Sequence, residues 1–411
     1  MGDTLRSNPP LRRMLGAWLQ SCVGTGAGYV ALLLLTRRHL GSSWAIAVVL
    51  LCDFLPYIAF GSWFGALADR HSRRLIVVVA CAAQAAAFAG LLFAHSAATI
   101  FPLALLAGIG NALQRPALRS ALPVVAGDDA QIAAALYDTS RWVGVTVGPA
   151  LAAGLFALWG VGLPLALNAL SFVVAAAVLV TVPMERPPGA AGEEHDEQEV
   201  QAPGGGVRAG LAVAFAVPGI AIVIACSAGS IIAGGLLNVS EPILATGPLH
   251  SGGSGYALLV AAYGVGMVVA SVLVARRGTA PAGTLVNRYY AGLVLTAAGM
   301  CASSIVGSVA LATLAFAGTG FANSLLLVSE TQLIQLRVPS AVQGRLFGAK
   351  DTVEGACFLI GLLGAGALGA ADVRLTLAAG AAVCGVCAFA AAAAVRPRTL
   401  ATGSSAPNAI P

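Results

Sequence analysis

Apolar runs of about twenty residues, each long enough to cross the hydrocarbon core of a bilayer as a helix, follow one another along almost the whole chain. Water cannot be the main solvent for such a pattern. Only 9% of the residues are charged, against roughly 25% in soluble domains. Glycine is abundant, 50 of 411 residues, which suits helices packed closely inside a membrane, where small residues let backbones approach. Basic residues are scattered among apolar stretches rather than gathered on a polar face, so no nucleic-acid surface is expected.

Twelve spans can be placed. Six cover 14–36, 42–66, 74–95, 99–122, 136–158 and 164–183, and six more cover 217–240, 254–275, 288–306, 308–334, 346–368 and 375–395. The expected fold is all-α, with twelve transmembrane helices in two six-helix bundles. Residues 1–183 form the first bundle and 209–400 the second. Between them, 184–208 reads MERPPGAAGEEHDEQEVQAPGGGVR, an acidic stretch rich in Gly and Pro that is expected to be a flexible linker on the cytoplasmic side. Residues 401–411 are expected to be a disordered tail. The polar, basic segment Met1 to Arg13 reads as a cytoplasmic tail rather than a cleaved leader.

Orientation follows from the basic residues. With the N-terminus inside, nineteen of the 22 Lys and Arg residues fall on the inner side, leaving Arg37, Arg38 and Arg374 outside. This bias predicts two cytoplasmic termini. Eight cysteines all lie in apolar stretches. Cys384 and Cys387 have a metal-like spacing but no further ligands around them, so they are expected to be small apolar fillers, and no metal is expected.

Two stretches carry recognisable patterns. Gly65-Ala-Leu-Ala-Asp69-Arg70-His-Ser-Arg73-Arg74 joins the second and third spans. Its Gly lets two helices meet, its Asp can accept hydrogen bonds at a neighbouring helix terminus, and its Arg residues anchor the loop at an anionic surface. In the fifth span, Gly144, Gly148, Pro149 and Gly154 bend the helix and offer a small-residue seam at the face between the two bundles. The first stretch resembles the signature loop of the major facilitator superfamily, with Ser72 where that pattern has Gly. The second is similar to an antiporter element of the same superfamily, with Ala152 and Ala153 where that element has Gly.

Three further segments narrow the resemblance. They are Gln114-Arg-Pro-Ala-Leu-Arg-Ser-Ala-Leu-Pro123, Asn168-Ala-Leu-Ser171-Phe172, and Thr331-Gln332 running through Arg337-Val-Pro339 to Gly344-Arg-Leu-Phe-Gly348. They resemble the branch that contains macrolide-efflux and enterobactin-exporter-like permeases. The resemblance covers about residues 14–395. It implies a monomeric plasma-membrane transporter that moves a small molecule by alternating access around a central cavity.

Ionisable groups inside a membrane are costly and are functional candidates. Asp53 lies midway along the second span, about 18 Å by helical rise from Gly65. It is expected to be either a reversible proton carrier or a hydrogen-bonded packing group. Asp138 and Arg141 begin the fifth span three residues apart and could pair. With Arg115 and Arg119 of the fourth span they form a candidate cytoplasmic latch, continuing the Gly65, Asp69, Arg70, Arg73 and Arg74 loop. Glu241 precedes Pro242, in an expected helix break that could line the cavity or an outer gate. Glu330 and Gln332 lie towards the inner part of the tenth span. Asp351 and Glu354, beside Lys350 and Arg345, are expected to form a surface salt-bridge cluster. The first span has no acid and offers Gln20 as its polar cavity candidate.

The proton-coupling candidates are therefore Asp53, Asp138 and Glu330. No nucleotide-binding loop, metal cluster or nucleophile triad is present in the sequence, so neither an enzyme activity nor a cofactor is expected. Export of a hydrophobic or amphiphilic compound by proton antiport is the preferred reading. Uptake, or movement of a lysophospholipid, stands as one alternative, and a membrane sensor or assembly partner without transport as another.

Overall fold

A computed structural model describes residues 8–184, 206–217, 219–276, 280–369 and 371–394. Every regular element among them is helical. Six helices build the first half: α1 (Pro9–Leu40), α2 (Ser43–Arg70), α3 (Arg73–Leu91), α4 (Ala97–Ala126), α5 (Ala130–Trp159) and α6 (Gly162–Leu179). Seven follow: α7 (Gly206–Ala216), α8 (Ile220–Thr246), α9 (Gly252–Arg276), α10 (Ala282–Ile305), α11 (Val309–Arg337), α12 (Ser340–Gly369) and α13 (Val373–Ala394). Of these, 10 are long and apolar enough to cross a membrane among the described residues. The chain is a multi-pass membrane protein, and twelve is an approximate count of its spans. In α10, Asn287, Arg288, Tyr289 and Tyr290 dilute the apolar character that marks its neighbours.

Polar residues decide where helices begin. The Asn8 side chain accepts a hydrogen bond from the Leu11 N–H, with Pro at the first helical positions of α1, where a missing N–H costs nothing. Ser42, Ser72 and Ser308 cap α2, α3 and α11 in the same manner, accepting from Trp44, Leu75 and Leu311. Ser72 thus has a local reason to stand where the superfamily pattern has Gly. At the other end of α1, Gly41 takes the left-handed conformation (φ 65°) that closes helices at low cost.

Several helices, α1, α4 and α5 among them, outrun the apolar runs that announced them, because helical hydrogen bonding continues into the interface, while α3 and α6 end before theirs. The expected break at Glu241-Pro242 is absent. α8 passes through Pro242 and ends at Thr246, since a membrane helix tolerates the one lost backbone bond. The linker also ends earlier than expected. Gly206, Val207 and Arg208 already belong to α7, while residues 185–205 and the 401–411 tail lie outside the described residues.

The chain divides into two compact units. The first holds residues 1–192 with 245–261, and the second holds 193–244 with 262–411. In the first, α1 packs on α5 and α6, and α4 packs on α2 and α3. Glycine permits the closest approach. A side chain at Gly148 would lie 2.7 Å from backbone atoms of Val23, Gly26 and Ala27 on α1, and one at Gly144 would meet Cys22. Gly24 and Gly28 face Ser171 and Asn168 of α6 in the same way. Buried amides pin α3 to α4: Gln84 donates to the Gln114 side-chain oxygen at 2.8 Å, and Gln114 donates to Cys81 Sγ at 3.3 Å.

In the second unit, α10 packs on α11 and α13, and α7 packs on α12. Tyr289 is buried and donates to the Val223 carbonyl at 2.8 Å, which ties α10 to α8. Around it, Val223, Leu285, Leu293, Leu326 and Leu333 form one apolar cluster. Val213, Ile220, Ile224, Ile334, Val338 and Leu346 form another where α7 and α8 meet α11 and α12.

Candidate functional site

Among the described residues, the densest concentration of buried charge is in the second unit. α11 supplies Glu330 and α12 supplies Lys350 and Glu354. Glu330 is 0% exposed and Lys350 is 7% exposed. The Lys350 ammonium lies 3.5 Å from Glu330 Oε2 and donates to Glu354 Oε2 at 2.7 Å. One cation therefore serves two carboxyl groups. Both oxygens of Glu330 and Oε1 of Glu354 are buried and accept no hydrogen bond among the described residues. With both acids ionised the cluster would carry one net negative charge, and a buried charge without a full complement of partners is costly. One proton, or one ligand cation, removes that excess.

This corrects the expected surface cluster. Lys350 and Glu354 turn inward to meet Glu330, while Asp351 and Arg345 are exposed. The i,i+4 pair reads as a solvated helix pair in sequence, and only packing of α11 on α12 brings the third member to it. Ser227 of α8 and Tyr289 of α10 flank Glu330 and share a hydrogen bond of 3.0 Å with each other. Gln332, two residues on and so on the opposite side of α11, has a buried side-chain oxygen without a partner among the described residues.

In the first unit, Asp53 lies where α2 crosses α4. A side chain at Gly108 would come within 2.8 Å of Asp53 Cα, so only glycine allows this crossing. Asp53 is half-buried and is not isolated, as Asn111 and Arg115 of α4 face it. The Arg115 guanidinium also lies 5.6 Å from the centre of the Tyr57 ring, within the range of a cation–π contact.

The remaining candidates take less central places. Asp138 pairs with Arg119 across α4 and α5 at 3.9 Å, with side chains 51% and 68% exposed, the geometry of a weak surface pair. Arg141 is exposed on α5. Arg73 and Arg74 open α3. Gly65, Asp69 and Arg70 are in the last turns of α2, and their side-chain surroundings lie outside the described residues. Glu241 is buried within α8, beside Tyr263 of α9. Gln20 donates to the Ser171 carbonyl of α6 at 2.8 Å. Gly144 and Gly148 spend their small size against α1 within the first unit, Pro149 is inside α5, and Gly154 meets no atom within 4 Å.

Long apolar helices in two units, the second holding a buried ion-pair cluster, define a multi-pass membrane protein. Residues 14–361 match the Major Facilitator Superfamily, and the chain belongs to it. Among curated proteins it is 26% identical over 159 residues to macrolide efflux protein A of Streptococcus pyogenes, covering 37% of this chain and 39% of that protein. It is 28% identical over 149 residues to macrolide efflux protein A of Enterococcus faecalis, covering 35% of this chain and 46% of that protein. The match thus spans less than half the length of either relative. The nucleoside transporter NupG superposes with a TM-score of 0.72 at 13% identity, covering 93% of this chain and 98% of that one, a likeness of fold alone.

Proposed function

We propose that the chain exports a hydrophobic or amphiphilic small molecule from the cell by proton antiport and alternating access. In this reading it works as a monomer in the plasma membrane with both termini cytoplasmic. The observation that carries it is the Glu330–Lys350–Glu354 cluster, in which the buried Glu330 and the half-buried Glu354 share one ammonium. Such a cluster has two electrostatic states that differ by a single proton, which is what a coupling site requires. Asp53, with Asn111 and Arg115 beside it, is a second candidate carrier, and Asp138 a third. The partial similarity to two macrolide efflux proteins supports export and an amphiphilic substrate. One proton moving through 100 mV supplies about 2.3 kcal/mol, equivalent to roughly a 50-fold gradient at tenfold per 1.36 kcal/mol.

Everted membrane vesicles containing the protein provide the test. Energised vesicles should accumulate a macrolide or a lipophilic cationic dye, and a protonophore should abolish the accumulation. Glu330→Gln should bring it to background while leaving the amount of folded protein unchanged. Accumulation that survives both the protonophore and Glu330→Gln would remove the proton-coupling role from this cluster. If Asp53→Asn alone abolishes it, the coupling site moves to the first unit.

A further inference from the structure

A second polar feature of the second unit is not explained by transport. Where α9 ends and α10 begins, a cavity of about 410 Å³ is lined by Leu273, Val274, Thr284, Asn287, Arg288, Ala291, Phe321 and Leu325, among others. Arg288 Nη1 is buried and has no hydrogen-bond partner among the described residues. Arg288 forms no ion pair among them either, and the chain between Arg276 and Arg288 contains no acid. The corresponding loop of the first half carries Asp69. The stretch leading to Arg288, by contrast, offers its guanidinium no acidic neighbour in sequence.

The cavity opens on a surface made for hydrocarbon. Leu273, which lines it, is 41% exposed, and Val265, Val268, Val269 and Val272 are exposed beside it on α9. Arg288 is six residues into α10, about 9 Å along the helix from its start, a depth at which an arginine can reach the headgroup layer along its apolar stem. Thr284 and Asn287 stand at the same end and add hydrogen-bonding groups. An unpaired guanidinium, two neutral polar side chains and an apolar slot together match a phosphodiester with an acyl chain below it. Basic pockets between membrane helices are suited to anionic headgroups, and a guanidinium binds phosphate oxygens through paired donors.

We propose that this cavity holds the headgroup of an anionic phospholipid, with Arg288 on the phosphate and an acyl chain along Leu273, Val274 and Leu325. The leaflet would be the inner one, a placement that rests on the orientation proposed above. The lipid completes the polar set of α10 and fixes the α9–α10 corner without an acidic residue.

Native mass spectrometry of the full chain in detergent reads this directly, and independently of transport. Phosphatidylglycerol, phosphatidylcholine and inorganic phosphate are added separately at matched concentrations. Phosphatidylglycerol should be retained preferentially, and retention should fall about tenfold in Arg288→Gln, as expected for loss of a charge-assisted phosphate contact. Ala291→Trp keeps the charge, fills the slot and should lower retention as well. Arg12→Gln, on the exposed side of α1, should leave retention unchanged. Equal retention by Arg288→Gln and the parent overturns the proposal. So does displacement of phosphatidylglycerol by inorganic phosphate alone, which would make the cavity a site for a soluble anion.

Discussion

Among the described residues of the first unit, ionisable side chains are spread over separate places. Asp53 faces Asn111 and Arg115, Arg115 lies over Tyr57, and the Arg119–Asp138 pair is at the surface. The second unit concentrates its charge: Glu330, Lys350 and Glu354 are packed together where α11 meets α12. The backbones meet by the same device in both, since Gly144 and Gly148 seat α5 on α1 while Gly235 and Gly361 let α8 approach α12. Architecture is thus shared between the units, and chemistry is not.

The largest expected effect is at Lys350. Lys350→Met leaves the buried Glu330 and the half-buried Glu354 without their cation, and breaking a buried pair costs about 3–5 kcal/mol. The thermal midpoint in detergent should fall further than for any other single change discussed here. Adding Glu330→Gln and Glu354→Gln to that variant should restore much of the loss. A midpoint indifferent to Lys350→Met would break the contrast between a charge-concentrating and a charge-dispersing unit.

Next comes the glycine seam. Gly148→Leu forces a side chain into backbone 2.7 Å away, and overpacking costs about 1–3 kcal/mol. Gly154→Leu meets open space and should shift the midpoint by no more than about 0.5 kcal/mol equivalent. Equal effects at the two positions would show that α5 is not seated on α1 through Gly148.

The smallest effect is expected at the surface pair. A double-mutant cycle with Arg119→Gln and Asp138→Asn should give a coupling of about 0–1 kcal/mol. A larger value would mean that the first unit also stores substantial energy in charge pairing, which would narrow the difference between the units.

Much of the fold is legible in the chain itself. Apolar runs mark the membrane helices, and serines at positions 42, 72 and 308 mark where some begin. Ends are harder to read, because α8 runs on through Pro242 and α7 emerges from a stretch whose Gly and Pro argue for coil. The candidate site divides along the same line. Asp53 and Glu330 stand out individually as acids in apolar surroundings. Their partners do not, because Glu330 meets Lys350 twenty positions later in the chain and only through packing of α11 on α12. Within α12 alone, Lys350 and Glu354 satisfy each other at a spacing common on solvated helices, so nothing local distinguishes an inward pair from an outward one. Asn168 and Ser171, part of the pattern shared with efflux permeases, turn out to face Gly24 and Gly28, a packing role that spacing alone does not disclose.

Lys350 is the only lysine among the 411 residues, and its largely buried amine is held between two carboxyl groups. Amine-directed reagents therefore find a single side-chain target, and that target is masked while the cluster stays closed. The rate at which an acylating probe labels this position becomes a clock for the opening of the α11–α12 contact, readable by peptide mapping without introducing any reporter group.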